Sequence, residues 1–348
     1  MAPGMEGLRL SLMTIDITNV EPPPIALIVF NRPHLASQLY ERVRAVRPRR
    51  LLVVADGPRA DRPEERTLCE STRKIVSSPD WPCELQKNFA AENLGNRRRL
   101  SSGLNWVFEQ CPEAIILEDD CLPCPSFFSF CSEMLNRYRD DPRIMHVSGQ
   151  NLQGGRRRGT GSYFFSRYSL SWGWASWRRA WQYYDVGLSA WPTAHQEGWL
   201  ASMLDDPLEI EYWTGIFDQT HRGLIDTWDY QWLFTCWCQN GLSIQPNENL
   251  VTNIGSGPDA TNLKEGHRSL GIPTGELREF VHPKAIFQNR EADRFTFKEY
   301  IASPKTPWWQ RLKNRLALRR RLKRLLRFSS SPSDGIGKCS SERASGTN

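Results

Sequence analysis

The chain has 348 residues, 39% of them hydrophobic and 24% charged, with 45 Lys and Arg against 39 Asp and Glu. Those proportions describe a soluble globular chain of one large or two ordinary domains, and they exclude a collagen-like, low-complexity or wholly disordered protein. The net charge of +6 is local, because residues 311–327 hold nine basic side chains and no acid, and subtracting those nine leaves −3.

Residues 1–23 read as a flexible leader, closed by Pro22 and Pro23. No basic start followed by an apolar core opens residues 1–20, and no run of about 18 apolar residues suggests a membrane span. Nine cysteines without disulfide-like spacing fit free thiols in a reducing compartment. The expected location is therefore cytoplasmic.

From residue 24 a repeating pattern begins. Strands are predicted at 25–30, 51–55, 84–88 and 114–117. Helices fall between and after them, at 34–46, on a charged stretch reaching 78, and at 97–110. Strands alternating with helices at this spacing predict an α/β fold, with a mostly parallel, Rossmann-like sheet and helices on both faces. A helix at 125–139 and a strand at 144–147 complete the unit 24–150. The unit 151–302 is less regular: an Arg- and Gly-rich loop at 154–162, a strand at 163–166, a Trp-dense stretch at 172–184, and helices near 206–222 and 228–240. Residues 303–328 read as a basic amphipathic helix, and 329–348 as a disordered tail. With Trp308 and Trp309 beside its leucines, residues 308–328 suit an anionic membrane surface, making peripheral attachment at the inner face of a membrane an expectation. Nucleic acid is not expected as a partner.

The fourth strand runs straight into Glu118-Asp119-Asp120. Ligands of open α/β sheets gather beyond the carboxyl ends of strands, and three adjacent acids repel one another unless a cation sits among them. Mg²⁺ and Mn²⁺ take carboxylate oxygens and keep other positions for water or phosphate. Strand alternation places Glu118 and Asp120 on one side and Asp119 on the other. A solvated loop in which Asp119 or Asp120 caps the next helix is the alternative.

The other strand ends carry Asn31-Arg32-Pro33, Asp56-Gly57-Pro58-Arg59 and Asn93-Leu94-Gly95, the last followed by Arg97-Arg98-Arg99 at a helix start suited to an anion. With Trp172-Gly173-Trp174, Trp228-Asp229 and Asn253-Ile254-Gly255, this ordered set resembles the nucleotide-diphospho-sugar transferases of the GT-A fold. It is most similar to bacterial glycosyltransferase-like proteins and to the N-acetylglucosaminyltransferase I type. The resemblance covers about residues 24–265.

The resemblance implies a nucleotide-sugar-binding half at 24–150 and an acceptor half at 151–302. It implies a metal-dependent, inverting transfer of a hexosyl or N-acetylhexosaminyl group. The donor would be a nucleotide-diphosphate sugar, a UDP-sugar first of all, and the acceptor a carbohydrate or glycolipid hydroxyl. Asp120 would hold Mn²⁺ or Mg²⁺. Glu118 and Asp119 would contact the sugar and ribose side, Asp56 with Arg32 the base and ribose, and Arg98 the diphosphate, although its two arginine neighbours are equal candidates. Gly255 and Ser256, with Gly257, would form a loop over the phosphates hinged at Asn253. Trp172, Gly173, Trp174 and Trp228 would line the sugar pocket. Asp229 would be the general base, ionised by its helix N-terminus. A cap by Asp229, or by Asp226 with Asp229 in the first turn, is the alternative. A nucleotidyltransferase, which should show a Gly-rich basic loop in place of Asn31-Arg32-Pro33-His34, and a non-catalytic sugar-binding protein are the rival functions.

Overall fold

The computed structural model describes residues 22–256 and 268–302. Most of the leader, Gly257, the basic helix expected at 303–328 and the tail of 329–348 lie outside the described residues. The described residues form one compact unit.

The first half runs β1 (Ile25–Val29), α1 (Pro33–Val46), β2 (Arg50–Ala55), α2 (Glu65–Val76), β3 (Glu84–Phe89), α3 (Gly95–Gln110) and β4 (Glu113–Glu118). It continues through β5 (Cys121–Pro123), α4 (Pro125–Arg137) and β6 (Ile144–Ser148). The second half adds β7 (Tyr163–Ser166), β8 (Trp174–Trp177), α5 (Arg178–Trp181), α6 (Trp191–Gln196), α7 (Trp199–Met203), α8 (Pro207–His221) and α9 (Asp229–Cys238). It ends with β9 (Leu242–Pro246), β10 (Val251–Asn253), α10 (Arg290–Thr296) and a π-helical turn at Phe297–Ile301.

Eight strands make one mixed sheet in the order β3-β2-β1-β4-β8-β6-β9-β7. The pairs β1–β2, β1–β4 and β2–β3 are parallel, which is the expected Rossmann-like half. The sheet is α/β, as its sequence predicts. Because side chains alternate, the two faces of β1, β2 and β4 feed separate cores. Ile25, Leu27, Leu51, Val53, Ile115 and Leu117 pack with α1 and α4, whereas Ala26, Ile28, Leu52, Val54, Ala114 and Ile116 pack under α3, α5 and α9. Strand β3 is largely exposed and carries Glu84 and Lys87, as suits an edge.

Of the elements that were not expected, β5, β8 and β10 shape the site. The Trp-dense stretch contributes β8, which pairs antiparallel with both β4 and β6. A second, two-stranded sheet pairs β5 with β10, aligning Cys121 with Asn253. That pairing fixes the segment after the acids against the segment before the glycine loop. Arg32, Asp56, Glu118 and Asp120 thereby meet at the carboxyl ends of β1, β2 and β4.

Candidate functional site

A cavity of about 560 Å³ opens at those strand ends, within the usual range of about 300–1,000 Å³ for ligand pockets. Its walls come from the ends of β1, β2 and β4, the first turns of α3 and α9, and the residues flanking β8 and β10.

Arg32 organises the acids. Its guanidinium bonds Asp119, and its Nη2 lies 3.1 Å from Asp120 Oδ2. Burial alone would lower the pKa of Arg32, but Asp119 and Asp120 outweigh it and hold the pKa above its ordinary value. Asp119 is only 2% exposed and also accepts from the Phe30 N–H at 3.4 Å. Burial pushes its carboxyl up to about 6, with Arg32 pulling the other way. Asp119 is thus turned back onto β1 and Arg32, leaving Glu118 and Asp120 more open to the cavity. Burial raises Glu118 well above the carboxylate range, with Asp120, Asp119 and Asp229 adding to the effect. The charge of Asp229 thus reaches Glu118, although 111 positions separate them in sequence.

Asp229 opens α9 and lines the cavity. Its carboxylate accepts from the Thr227 hydroxyl and from the Tyr230 N–H at 3.0 Å. Burial raises its pKa and those bonds oppose the rise. The expected depression by the helix terminus is outweighed, so the carboxylate is more basic than an ordinary aspartate.

Asp56 is buried. It accepts from Gly57 N–H and Leu94 N–H, each at 2.9 Å, and from Asn93 Nδ2 at 3.0 Å. It clamps the turn after β2 onto the loop before α3, and Arg32 pairs with Asp119 and Asp120 rather than with it. The clamp is tight: a Cβ on Gly57 would lie 2.5 Å from the Glu92 carbonyl carbon.

The structure places the remaining expected residues unevenly around the cavity. Arg98 is exposed and does not line the cavity, whereas Arg99 is 4% exposed and does. Arg99 Nη2 donates to Asn88 O at 2.5 Å, while its buried Nε has no hydrogen-bond partner among the described residues. One residue along a helix turns a side chain by about 100°, which separates the two. Trp174 is fully buried in the core under α3 and α9, and Trp228 stacks on it at 5.4 Å. Trp174 does not line the cavity, whereas Trp228, though almost fully buried, and Trp172, partly exposed, both do. Gly173 has φ +62, and a Cβ there would sit 2.6 Å from Val251 Cγ2, so its role is a close backbone approach. Gly255 lines the cavity against Asp120, where a Cβ would fall 2.5 Å from Oδ2. Its N–H is held by Asn253 Oδ1 at 2.9 Å. Ser256 is exposed and does not line the cavity, the described chain ending there before it resumes at Arg268.

Sequence reasoning missed Asp226 as part of the wall. Instead of capping its own helix α9, it accepts from Asn96 N–H and Arg97 N–H at the start of α3. The expected anion site at that helix start is therefore filled by the chain itself. The one signal available was that Leu94, at the N-cap, is a residue type unable to cap.

Whether the walls suit a divalent cation can be judged from their charge. Three arginines (Arg32, Arg59, Arg99) face six acids (Asp56, Glu118, Asp119, Asp120, Asp226, Asp229). A diphosphate entering such a wall needs added positive charge. No group of three His, Cys, Asp or Glu among the described residues is arranged to grip a metal unaided. A cation that draws its remaining ligands from phosphate and water fits this donor set.

No family model and no curated protein sequence matches the chain. Among solved structures, it is similar to a cytidylyltransferase from Leptospira borgpetersenii serovar Hardjo-bovis, over 47% of this chain and 63% of that one, at 9% identity and TM-score 0.29. A UDP-glucose pyrophosphorylase complexed with UDP-glucose matches over 38% and 66%, at 11% identity and TM-score 0.22. Mouse xyloside xylosyltransferase 1 matches over 61% and 80%, at 13% identity and TM-score 0.27. The chain spans just under two thirds of the first two. Superpositions this loose assign neither substrate nor residue.

Proposed function

We propose that the chain is a metal-dependent glycosyltransferase that moves a sugar from a nucleotide-diphosphate donor to an acceptor hydroxyl, with inversion. The observation that carries this reading is one cavity at the carboxyl ends of β1, β2 and β4 that receives Glu118 and Asp120 from one side and Asp229 from the other.

In this reading Asp120 holds Mn²⁺ or Mg²⁺, with Gly255 leaving room beside its carboxylate. When bound, the cation offsets negative charge on the donor's diphosphate. Arg32 holds Asp119 and steadies Asp120, and Arg99 directs a cationic side chain into the donor wall. The clamp made by Asp56 shapes the surface on which base and ribose rest. Asp229, its basicity raised by burial, takes the proton of the acceptor hydroxyl as that oxygen attacks the anomeric carbon; no protein nucleophile is required for a single displacement. Trp172 provides the apolar face against which a sugar ring stacks. Attachment of residues 308–328 to an anionic membrane belongs to the same proposal, since the described residues contain no helix long and apolar enough to cross one.

The test is a thermal-shift screen of nucleotide sugars with and without Mn²⁺, followed by turnover of the stabilising donor. Asp120→Ala should abolish metal-dependent stabilisation. Asp229→Asn should keep it and reduce transfer at least 100-fold, in the range for loss of a general base. Full transfer by Asp229→Asn would remove the base assignment, and stabilisation indifferent to metal would remove the metal.

A further inference from the structure

Helix α3 begins without a cap of its own: Leu94 makes no side-chain bond to it, and its first turn contains no acid. The opening N–H groups of any α-helix need partners from outside the helix. Here Asp226 supplies them from 130 residues away. Its Oδ2 accepts from Asn96 N–H at 3.1 Å and its Oδ1 from Arg97 N–H at 3.0 Å. The surroundings are shaped for this contact. Gly95 has φ +77, and a Cβ there would stand 3.0 Å from Asp226 Oδ2.

A second tie lies further along the same helix. Ser101 Oγ meets the Tyr184 hydroxyl at 3.1 Å, and that hydroxyl donates to the Trp228 carbonyl at 3.2 Å. Helix α3 therefore grips the incoming segment at residues 226 and 228, immediately before Asp229. The same helix places Gly95, Asn96 and Arg99 on the cavity wall. A change in how the segment sits on α3 moves Asp229 relative to everything α3 presents.

We propose that Asp226 is a positioning residue: by capping α3 across the chain, it holds Asp229 in register with the donor wall. The inference rests on the reading of Asp229 as the base. It also means that a donor diphosphate is bound elsewhere in the cavity than at the start of α3, whose first free amides are already taken.

The full-length chain tests this with Asp226→Ala, Asp226→Asn and Asp206→Ala. Asp206 caps α8 through Leu208 N–H at 3.0 Å and does not line the cavity, so it reports what loss of a helix cap does by itself. The readouts are Mn²⁺-dependent hydrolysis of UDP-glucose and UDP-N-acetylglucosamine, calorimetric binding of UDP with Mn²⁺, and hydrogen exchange at Asn96 and Arg97. Asp226→Ala should lower kcat at least tenfold, leave the Kd of UDP with Mn²⁺ within twofold, and release both amides to exchange. Asp226→Asn, which keeps one accepting oxygen, should recover most of kcat. Asp206→Ala should lower the melting temperature comparably without changing kcat. Equal kcat losses in the two Ala variants, or a Kd for UDP that rises in step with the lost kcat, would overturn the positioning role. A wild-type chain that hydrolyses neither these two sugars nor any nucleotide sugar that stabilises it in the thermal-shift screen would instead defeat the functional reading, and the inference with it. Exchange at Asn96 and Arg97 would still show whether the cap exists.

Discussion

Among the described residues His146 belongs to no group arranged to hold a metal, and its ring is locked into the core. It is fully buried in β6, its Nε2 lies 2.9 Å from Leu170 O, and its Nδ1 accepts from Trp232 Nε1–H at 3.1 Å. That pair of bonds selects the neutral ring with its proton on Nε2, because a proton on Nδ1 would face the indole N–H. The ring also stacks on Trp174 at 5.0 Å, and Trp174 stacks on Trp228, next to Asp229. Burial lowers the His146 pKa from 6.5 to about 4.

The sign of the resulting pH dependence follows. Above the unfolded value of 6.5, neither state binds the proton and His146 contributes no slope. As pH falls below 6.5, the unfolded chain takes the proton and the folded one does not, so stability is lost until pH reaches about 4. At 1.36 kcal/mol per unit, the loss across that window is about 3 kcal/mol. The buried acids Glu118, Asp119 and Asp229 titrate in the opposite sense, so the measurement must be a difference. Urea denaturation of wild type and His146→Phe at half-unit steps from pH 4 to 7 isolates it. At neutral pH the variant should be less stable by about 1–3 kcal/mol, because Trp232 Nε1–H loses its acceptor. The gap should then shrink by up to about 1.4 kcal/mol per pH unit on acidification. A gap that stays constant from pH 7 to 4 would refute the neutral, buried imidazole.

Three further outcomes can be read from single substitutions. Arg99→Ala should weaken donor binding at least tenfold, whereas Arg98→Ala should leave it within twofold; calorimetry with UDP and Mn²⁺ separates them. Trp174→Ala should cost about 3–5 kcal/mol of stability, as for other large-to-small core changes, while Trp172→Ala should cost far less and raise the acceptor KM. Gly255→Ala drives a methyl group to within 2.5 Å of Asp120 Oδ2, so Mn²⁺-dependent stabilisation by donor should fall while unfolding without ligand changes little.

The legible part of the fold is the part whose residues are constrained twice. Strands β1, β2 and β4 are buried on both faces, so they announce themselves as continuous apolar runs bounded by turn residues. Strands β5, β8 and β10 have three or four residues, too few to display a period, and they exist because a partner strand reaches them. Helix phase hid the choice between Arg98 and Arg99, since a start at Gly95 rather than at residue 97 decides which side chain faces inward. The bond from Asp226 to α3 leaves no local pattern at all. Its only trace is a missing cap, seen once the helix start is known.

The acids after β4 were legible as a block, but the reason for tolerating them was incomplete. Three carboxylates at a strand end require positive charge, and Arg32, arriving from the end of β1, provides the first of it. A resident arginine removes the need for a metal merely to hold the fold together. What it leaves is an imbalance directed at the cavity: one arginine serves both Asp119 and Asp120, and Glu118 and Asp229 line the same space without an ion pair among the described residues. Stability is thereby separated from binding. Removing divalent cations should leave the chain folded while donor affinity falls, whereas Arg32→Ala should destabilise the chain with or without cation, by about 3–5 kcal/mol for a broken buried pair.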